Sequence, residues 1–286
     1  MALKPYTKPP RTPAQLVQHL VDCGLPLSGR TRRYAEKKIA QIGYERLRIY
    51  FRSRRQLNLP GKPFIAGTKF KDIVALYEFD EALRAFCFLH LGRFEIVLRN
   101  QLSEILSHRH GSHPYFDDSA YRSPKTRANT LGRLSDIFYK KNDQRARHYF
   151  DEYNPPMIPP IWVMKEFLTF GNLSHVLDQL STSIQNDLTA AFGMPNYPVL
   201  ENWIKAMIDL RNDCAHHDRL FNRSFQKQPQ RFIKAGVPAA PQNKLKALLE
   251  CLEFLLKSQG YDDQIVATVA KMIDRCPAVT PAEVGY

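Results

Sequence analysis

The stretch from Lys71 to His108 constrains this chain more than any other. Apolar residues recur through it at Ile73, Leu76, Leu83, Cys87, Phe94, Leu98, Leu102 and Leu106. Spacings of three and four over such a length predict one long helix, or two in line, buried on most sides. Two acid–base pairs four apart, Asp80–Arg84 and Glu95–Arg99, support helix there. A long helix with an apolar surface needs other helices to cover it, and strand signals are few. The fold class expected is therefore all-α.

The rest of the chain supplies the covering elements. Thr12 and Pro13 mark a helix start in "TPAQLVQHLVDCGL", and Gly24 its end. Helices are expected over "GRTRRYAEKKIAQIG" and, past Gly43, over "YERLRIYFRSRRQL". In the Pro/Gly loop "NLPGKPFIAGTKF", Phe64, Ile65 and Phe70 are expected to pin the chain to the core. Loop is read over 109–128, a shorter helix around 129–150, and extended chain through the paired prolines of "EYNPPMIPPIW". "IWVMKEFLTFGNLSHVLDQL" is expected to be helix with a possible break at Gly171. Helices follow over "STSIQNDLTAAFG", 197–217, "PQNKLKALLECLEFLLKSQG" and "QIVATVAKMIDRC". The division expected is a basic helical segment over 1–62, a helical domain over 63–270 and a loose tail over 271–286.

Charge is distributed unevenly. Residues 1–60 hold 13 Lys+Arg against 3 Asp+Glu, whereas the chain of 286 carries a net +13. Of the total, +10 thus falls in the first fifth. Arg32, Arg33, Lys37, Lys38, Arg46, Arg48, Arg52, Arg54 and Arg55, interleaved with tyrosines, suit phosphate contact and base stacking and make RNA the expected partner. A solvated basic face is the plainer alternative. No run is apolar enough to span a membrane, and the N-terminus lacks the apolar core of a secretory signal. Five dispersed cysteines without a C-x-x-C pair argue against a disulfide framework and a structural zinc site, and fit a cytoplasmic protein.

"DLRNDCAHHDRLFNR", residues 209–223, concentrates chemistry. On a helix over 199–217, Asn212 and His216 sit about 40° apart, Arg211 and His216 about 140°, and His217 about 100° beyond His216. Arginine presents a planar fork to phosphate, and histidine moves protons near neutral pH. Asparagine can hold an oxygen or orient the histidine. Together these groups suit metal-independent RNA cleavage, in which the ribose 2′-OH attacks the adjacent phosphate. One chain offers one such set, so a complete acid–base pair calls for a homodimer. No cofactor and no metal are expected, since His216 and His217 point apart and Asp213 and Asp218 make no recognised ligand spacing. The plainer alternative is a helix end, its histidines answering the helix dipole and Arg211 pairing with Asp218 or Glu201.

"RNDCAHHDRLFNR" resembles the Arg-Asn-x-x-x-His signature of HEPN domains with the extension found in bacterial Abi-like proteins of the AbiD/AbiF type. "IGYERLRIYF", "GTKFKDIVALYEFDEALR", "RFEIVLRNQL" and "PPIWVMKEFLTFGNLSHVL" agree in order, so the resemblance spans roughly residues 12–225. It implies a HEPN-like helical bundle, usually dimeric, acting as a ribonuclease in abortive infection, a form of antiviral defence. By that match Arg211 would bind the scissile phosphate, His216 would transfer protons and Asn212 would position them. His217, Glu95 and Arg99 are possible accessories. Some relatives associate with a small structured non-coding RNA, so the competing expectation is a non-catalytic RNA-binding protein. A protein-interaction module or phage sensor is a third class that no sequence feature favours.

Overall fold

A computed structural model describes residues 5, 7, 9–140, 143–153 and 155–286. The start of the basic segment (1–4, 6 and 8), part of the stretch read as the 129–150 helix (141 and 142) and Asn154 of the extended proline segment lie outside the described residues. Two compact units are present. The first runs through Ala82 and takes in Ile273–Thr280; the second comprises Leu83–Met272 and Pro281–Tyr286. No strand occurs among the described residues, only three isolated bridges, and the fold class is all-α. No helix among them is long and apolar enough to cross a membrane.

In the first unit, α1 (Pro13–Asp22), α2 (Gly29–Ile42) and α3 (Tyr44–Ser53) are short because their ends are specified locally. Thr12 and Gln15 cap α1 reciprocally, the Thr12 hydroxyl accepting from the Gln15 N–H and the Gln15 side chain from the Thr12 N–H. Gly43, at a φ of 92°, separates α2 from α3 in a region where glycine alone is unstrained. Phe51 centres the core, with the rings of Tyr44 at 5.5 Å, Phe70 at 6.1 Å and Phe64 at 6.3 Å. The Tyr50 hydroxyl donates to buried Asp80 at 2.6 Å. Phe64 and Phe70 pin the Pro/Gly loop as expected, but Ile65 is exposed. The chain is extended where Phe64 pairs with Arg55, so alternate side chains face opposite ways.

The long helix is continuous, α4 (Phe70–His110). In the second unit its residues Leu91, Phe94, Leu98, Leu102 and Leu106 are buried, whereas Phe88, Leu89 and Ile96 stay exposed, so one face is uncovered. The unit also holds α5 (Pro124–Tyr139), α6 (Gln144–Glu152), α7 (Ile161–Met164), α8 (Phe170–Leu177), α9 (Thr182–Ala191), α10 (Tyr197–Ala215), α11 (Leu245–Lys257), α12 (Ile265–Asp274) up to Met272, and α13 (Pro281–Val284). Phe94 meets Phe170 and Phe192 edge-on at 5.8 and 5.9 Å. Fully buried Trp203 of α10 meets Phe254 of α11 and donates its indole N–H to the Gln230 carbonyl at 2.7 Å.

Three expectations need correction. The stretch read as loop over 109–128 holds two 3-10 turns and the start of α5, because Ser123 and Thr126 form a capping box ahead of Pro124. The helix break expected at Gly171 falls at Leu168–Thr169 instead, where the Thr169 hydroxyl accepts from the Asn172 N–H and starts α8 afresh. The tail is ordered: Val279 and Val284 are buried, and the Tyr286 hydroxyl reaches the Val266 carbonyl at 3.4 Å.

Candidate functional site

Helix α10 positions the site. Asn196 caps its start, accepting from the Val199 N–H at 3.0 Å, and Pro198 fits the first turn. Leu200, Trp203, Met207, Leu210 and Cys214 bury one stripe and fix the rotation of the helix. Arg211 and Asn212 then fall at the edge of that stripe, half-buried, and His216 is exposed.

The helix ends earlier than its spacing predicts. Ala215 is the last helical residue, and His216 caps it with φ −86° and ψ 7°. His217 lies in the left-handed region at φ 59°. The His217 N–H returns to the Cys214 carbonyl at 3.2 Å and the Asp218 N–H to the Asp213 carbonyl at 2.8 Å. This is the Schellman end, with histidine where glycine is usual. His217 is therefore not on the helix surface, where its angular spacing sets it. It belongs to the chain's reversal out of the helix, while His216 stays one turn beyond Asn212, its N–H bonded to the Asn212 carbonyl at 2.9 Å.

Glu95 of α4 stands between two guanidiniums. One Arg99 nitrogen lies 2.5 Å from the Glu95 carboxylate and also donates to the Leu168 carbonyl at 2.5 Å. Arg211 approaches the other carboxylate oxygen at 3.4 Å and donates to the Asn212 side-chain oxygen at 3.2 Å. The Glu95 side chain is 9% exposed, that of Arg99 18% and that of Arg211 28%. Two cations on one carboxylate leave a surplus positive charge at the more exposed guanidinium, Arg211. Such a charge favours an incoming anion, and arginine's fork suits a phosphate. Neither Asp218 nor Glu201 is Arg211's partner. Glu201 pairs with Lys205. Asn100, beside Arg99, accepts from Lys165 at 2.6 Å.

No hydrogen bond or ion pair joins the His216 imidazole to another described residue, so nothing in one chain fixes its orientation. On the far side of Asn212 a cavity of about 240 Å3 opens, lined by Asp213, Arg223, Phe225 and Lys227 among others. Arg223 holds Asp213 at 2.8 Å and lies over the Phe225 ring. Burial pushes the Asp213 carboxyl upward, against the opposing pull of Arg223. Its partner sits ten residues on, outside helical spacing, so only the folded chain reveals the pair.

The candidate RNA-binding residues divide into two sets. Arg33, Lys37, Arg46, Arg48 and Arg52 are exposed, Arg33 and Lys37 one turn apart on α2, Arg48 and Arg52 one turn apart on α3, and Arg48 pairs with Glu45 at 2.9 Å. The others are less exposed and engaged within the first unit. Arg32 meets Gln18 at 2.9 Å and Lys38 meets Glu78 at 2.8 Å. Arg54 donates to the Ala278 carbonyl at 2.7 Å; Arg55 donates to the Lys62 carbonyl at 2.6 Å and covers the Phe64 ring.

No curated protein and no solved structure matches the chain. A family model described as Abi-like protein matches residues 37–222, about two thirds of its length. That span takes in α2 from Lys37 to its end, all of α3, the long α4 and the whole Arg211–His217 stretch. The chain belongs to the Abi-like family.

Proposed function

We propose that this protein is a metal-independent endoribonuclease of an abortive-infection system, working in the cytoplasm as a HEPN-type homodimer. The surplus positive charge at Arg211, close along the chain to exposed His216, is the observation that carries this reading. Arg211 holds the scissile phosphate and stabilises the charge that grows on it. The 2′-OH loses its proton to a base and attacks phosphorus; the 5′-oxygen of the next nucleotide leaves and takes a proton from an acid. A 2′,3′-cyclic phosphate and a 5′-OH result. One His216 per chain cannot be base and acid at the same moment, so the second comes from a second copy. Asn212, tied to Arg211, keeps the guanidinium in place. The uncovered face of α4 supports pairing. Leu89 and Ile96, each 54% exposed, are seven residues apart and so within about 20° of each other, and Ile96 adjoins Glu95.

RNA cleavage in excess EDTA tests the proposal. Wild type is expected to cut, with Arg211→Ala and His216→Ala each reduced at least about 100-fold, the scale of losing a charge-stabilising donor and a proton-transfer group respectively. Mixing the two variants is expected to restore nothing where one composite site needs both residues from both chains. Cleavage by the double variant at the wild-type rate refutes the assignment. The exposed arginines of α2 and α3 favour a second reading, non-catalytic binding of a structured RNA. Copurification of a discrete small RNA without any cleavage selects it.

A further inference from the structure

We propose that a cavity at the α6–α7 connection, walled by Trp162 and Tyr153, takes the base of a nucleotide. Its volume is about 720 Å3, inside the range of roughly 300–1,000 Å3 that encloses a compact organic ligand. Tyr149, Tyr153, Trp162 and three prolines form most of its wall. Tyr153 is held in place, 5.3 Å from the Tyr149 ring and perpendicular to His148 at 6.3 Å. Trp162 is 49% exposed, so a large aromatic face stands open to a planar guest.

The polar groups narrow the guest further. Among the described residues no carboxylate lines the cavity, and the guanidinium there, Arg145, is committed to Asp143 at 2.9 and 3.0 Å and to the face of Phe167. Among those residues a small anion finds no uncommitted cation. The other polar groups of the described lining are the Gln144 amide, the imidazoles of His113 and His148, the Trp162 indole N–H and the hydroxyls of Tyr149 and Tyr153. His113 turns Nδ1 to the Ser112 hydroxyl at 2.8 Å, while Nε2 is buried and makes no well-formed hydrogen bond to a described residue, the Ile158 backbone being a polar neighbour of the ring. Burial, outweighing the Ile158 backbone, lowers its pKa and keeps it neutral near pH 7. Amides and neutral imidazoles both donate and accept, which is what reading a nucleobase edge requires. An aliphatic chain would leave these groups unpaired. A proline-rich peptide has few N–H donors and would leave the accepting sides of the Gln144 amide and the imidazoles unpaired.

The base has two sources, a free mononucleotide or an unpaired nucleotide of an RNA strand; the strand source alone rests on the ribonuclease reading. The chain has two tryptophans, and Trp203 is fully buried, so quenching of intrinsic fluorescence reports Trp162. The full-length protein is titrated with AMP, GMP, CMP and UMP, with a short single strand carrying 2′-O-methyl riboses, and with a proline-rich peptide. Saturable quenching by a mononucleotide assigns the cavity to free nucleotides; saturation by the strand alone assigns it to unpaired RNA. Tyr153→Ala keeps the reporter and is expected to weaken binding at least about fivefold, the lower end of losing one stacking partner. Trp162→Phe is expected to abolish the signal. Quenching by none of the nucleotide probes, by the peptide alone, or unaltered by Tyr153→Ala overturns the proposal. Arg211→Ala is expected to leave quenching by the mononucleotides unchanged, so a failed ribonuclease site and a failed base site are told apart.

Discussion

Glu95 offers a direct way to separate a structural Arg211 from a functional one. Replacing it with alanine strips the carboxylate from Arg99, which is only 18% exposed and whose Nε already has no partner among the described residues. Breaking a buried pair by removing one member costs about 3–5 kcal/mol. Arg99 keeps its bond to the Leu168 carbonyl, which sets the expectation at the lower end, about 3 kcal/mol. Arg211→Ala is a different perturbation. Glu95 retains Arg99 at 2.5 Å, and what disappears is an ion pair 3.4 Å long made by a guanidinium 28% exposed. Pairs of that kind are worth about 0–1 kcal/mol.

The two variants are therefore expected to differ by roughly 2 kcal/mol in unfolding free energy. Urea unfolding followed by far-UV circular dichroism and by tryptophan fluorescence measures it, because buried Trp203 sits on α10 with Arg211. In a chain of two compact units the two probes must give coincident transitions before a single free energy is assigned. A double-variant cycle is expected to give Glu95–Arg211 coupling below about 1 kcal/mol. If Arg211→Ala destabilises as much as Glu95→Ala, the guanidinium is a pin between helices, and the surplus charge invoked for phosphate binding does not exist.

Three more outcomes are expected. His217→Gly relieves a left-handed residue that costs about 1–2 kcal/mol in an L-amino acid, less the freedom glycine gains when unfolded, so Tm is expected to rise; a fall shows that the imidazole's own contacts hold the turn. The Asp117 carboxyl is held down at about 2 by the Ser119 hydroxyl, then by His110 and the Ser119 N–H. Such a group contributes stability above its ordinary value of 3.8 and loses it as pH falls toward 2. Asp117→Asn is thus expected to be less stable than wild type at pH 6 and equal to it near pH 2 in thermal scans. Replacing both Arg33 and Lys37 with alanine is expected to lower the slope of log affinity against log salt for RNA by about 2, one for each phosphate no longer neutralised; an unchanged slope removes α2 from the RNA surface.

What the sequence discloses, and what it withholds, follows from the range of the forces involved. Periodicity and caps are local, so α4, α10 and the Thr12–Pro13 start of α1 are legible as strings of residues. Arg211, Asn212 and His216 are legible because chemistry-bearing residues crowd one short length of chain. The Glu95–Arg211 contact spans 116 residues, and no spacing rule connects them; only apolar residues beside a charged pair on α4 hint at it. The end of α10 escapes a spacing rule for another reason. A Schellman turn is ordinarily announced by glycine, and here a histidine occupies the left-handed position, so residue type conceals what backbone hydrogen bonds enforce. The cavity around Trp162 is not legible as a cavity, because its walls come from stretches read as two helices, the extended proline-rich link between them and the earlier loop of His113, which share no period. Its cue is compositional: aromatic residues and prolines gather beside histidines in a stretch whose core residues, Ala146, Tyr149, Ile158, Ile161 and Met164, leave Tyr153 and Trp162 exposed. Where a sequence collects aromatic surface that its helices do not bury, as at Trp162, folding alone does not account for the choice. That place, with the charge surplus at Arg211, is where substitution is expected to separate activity from stability.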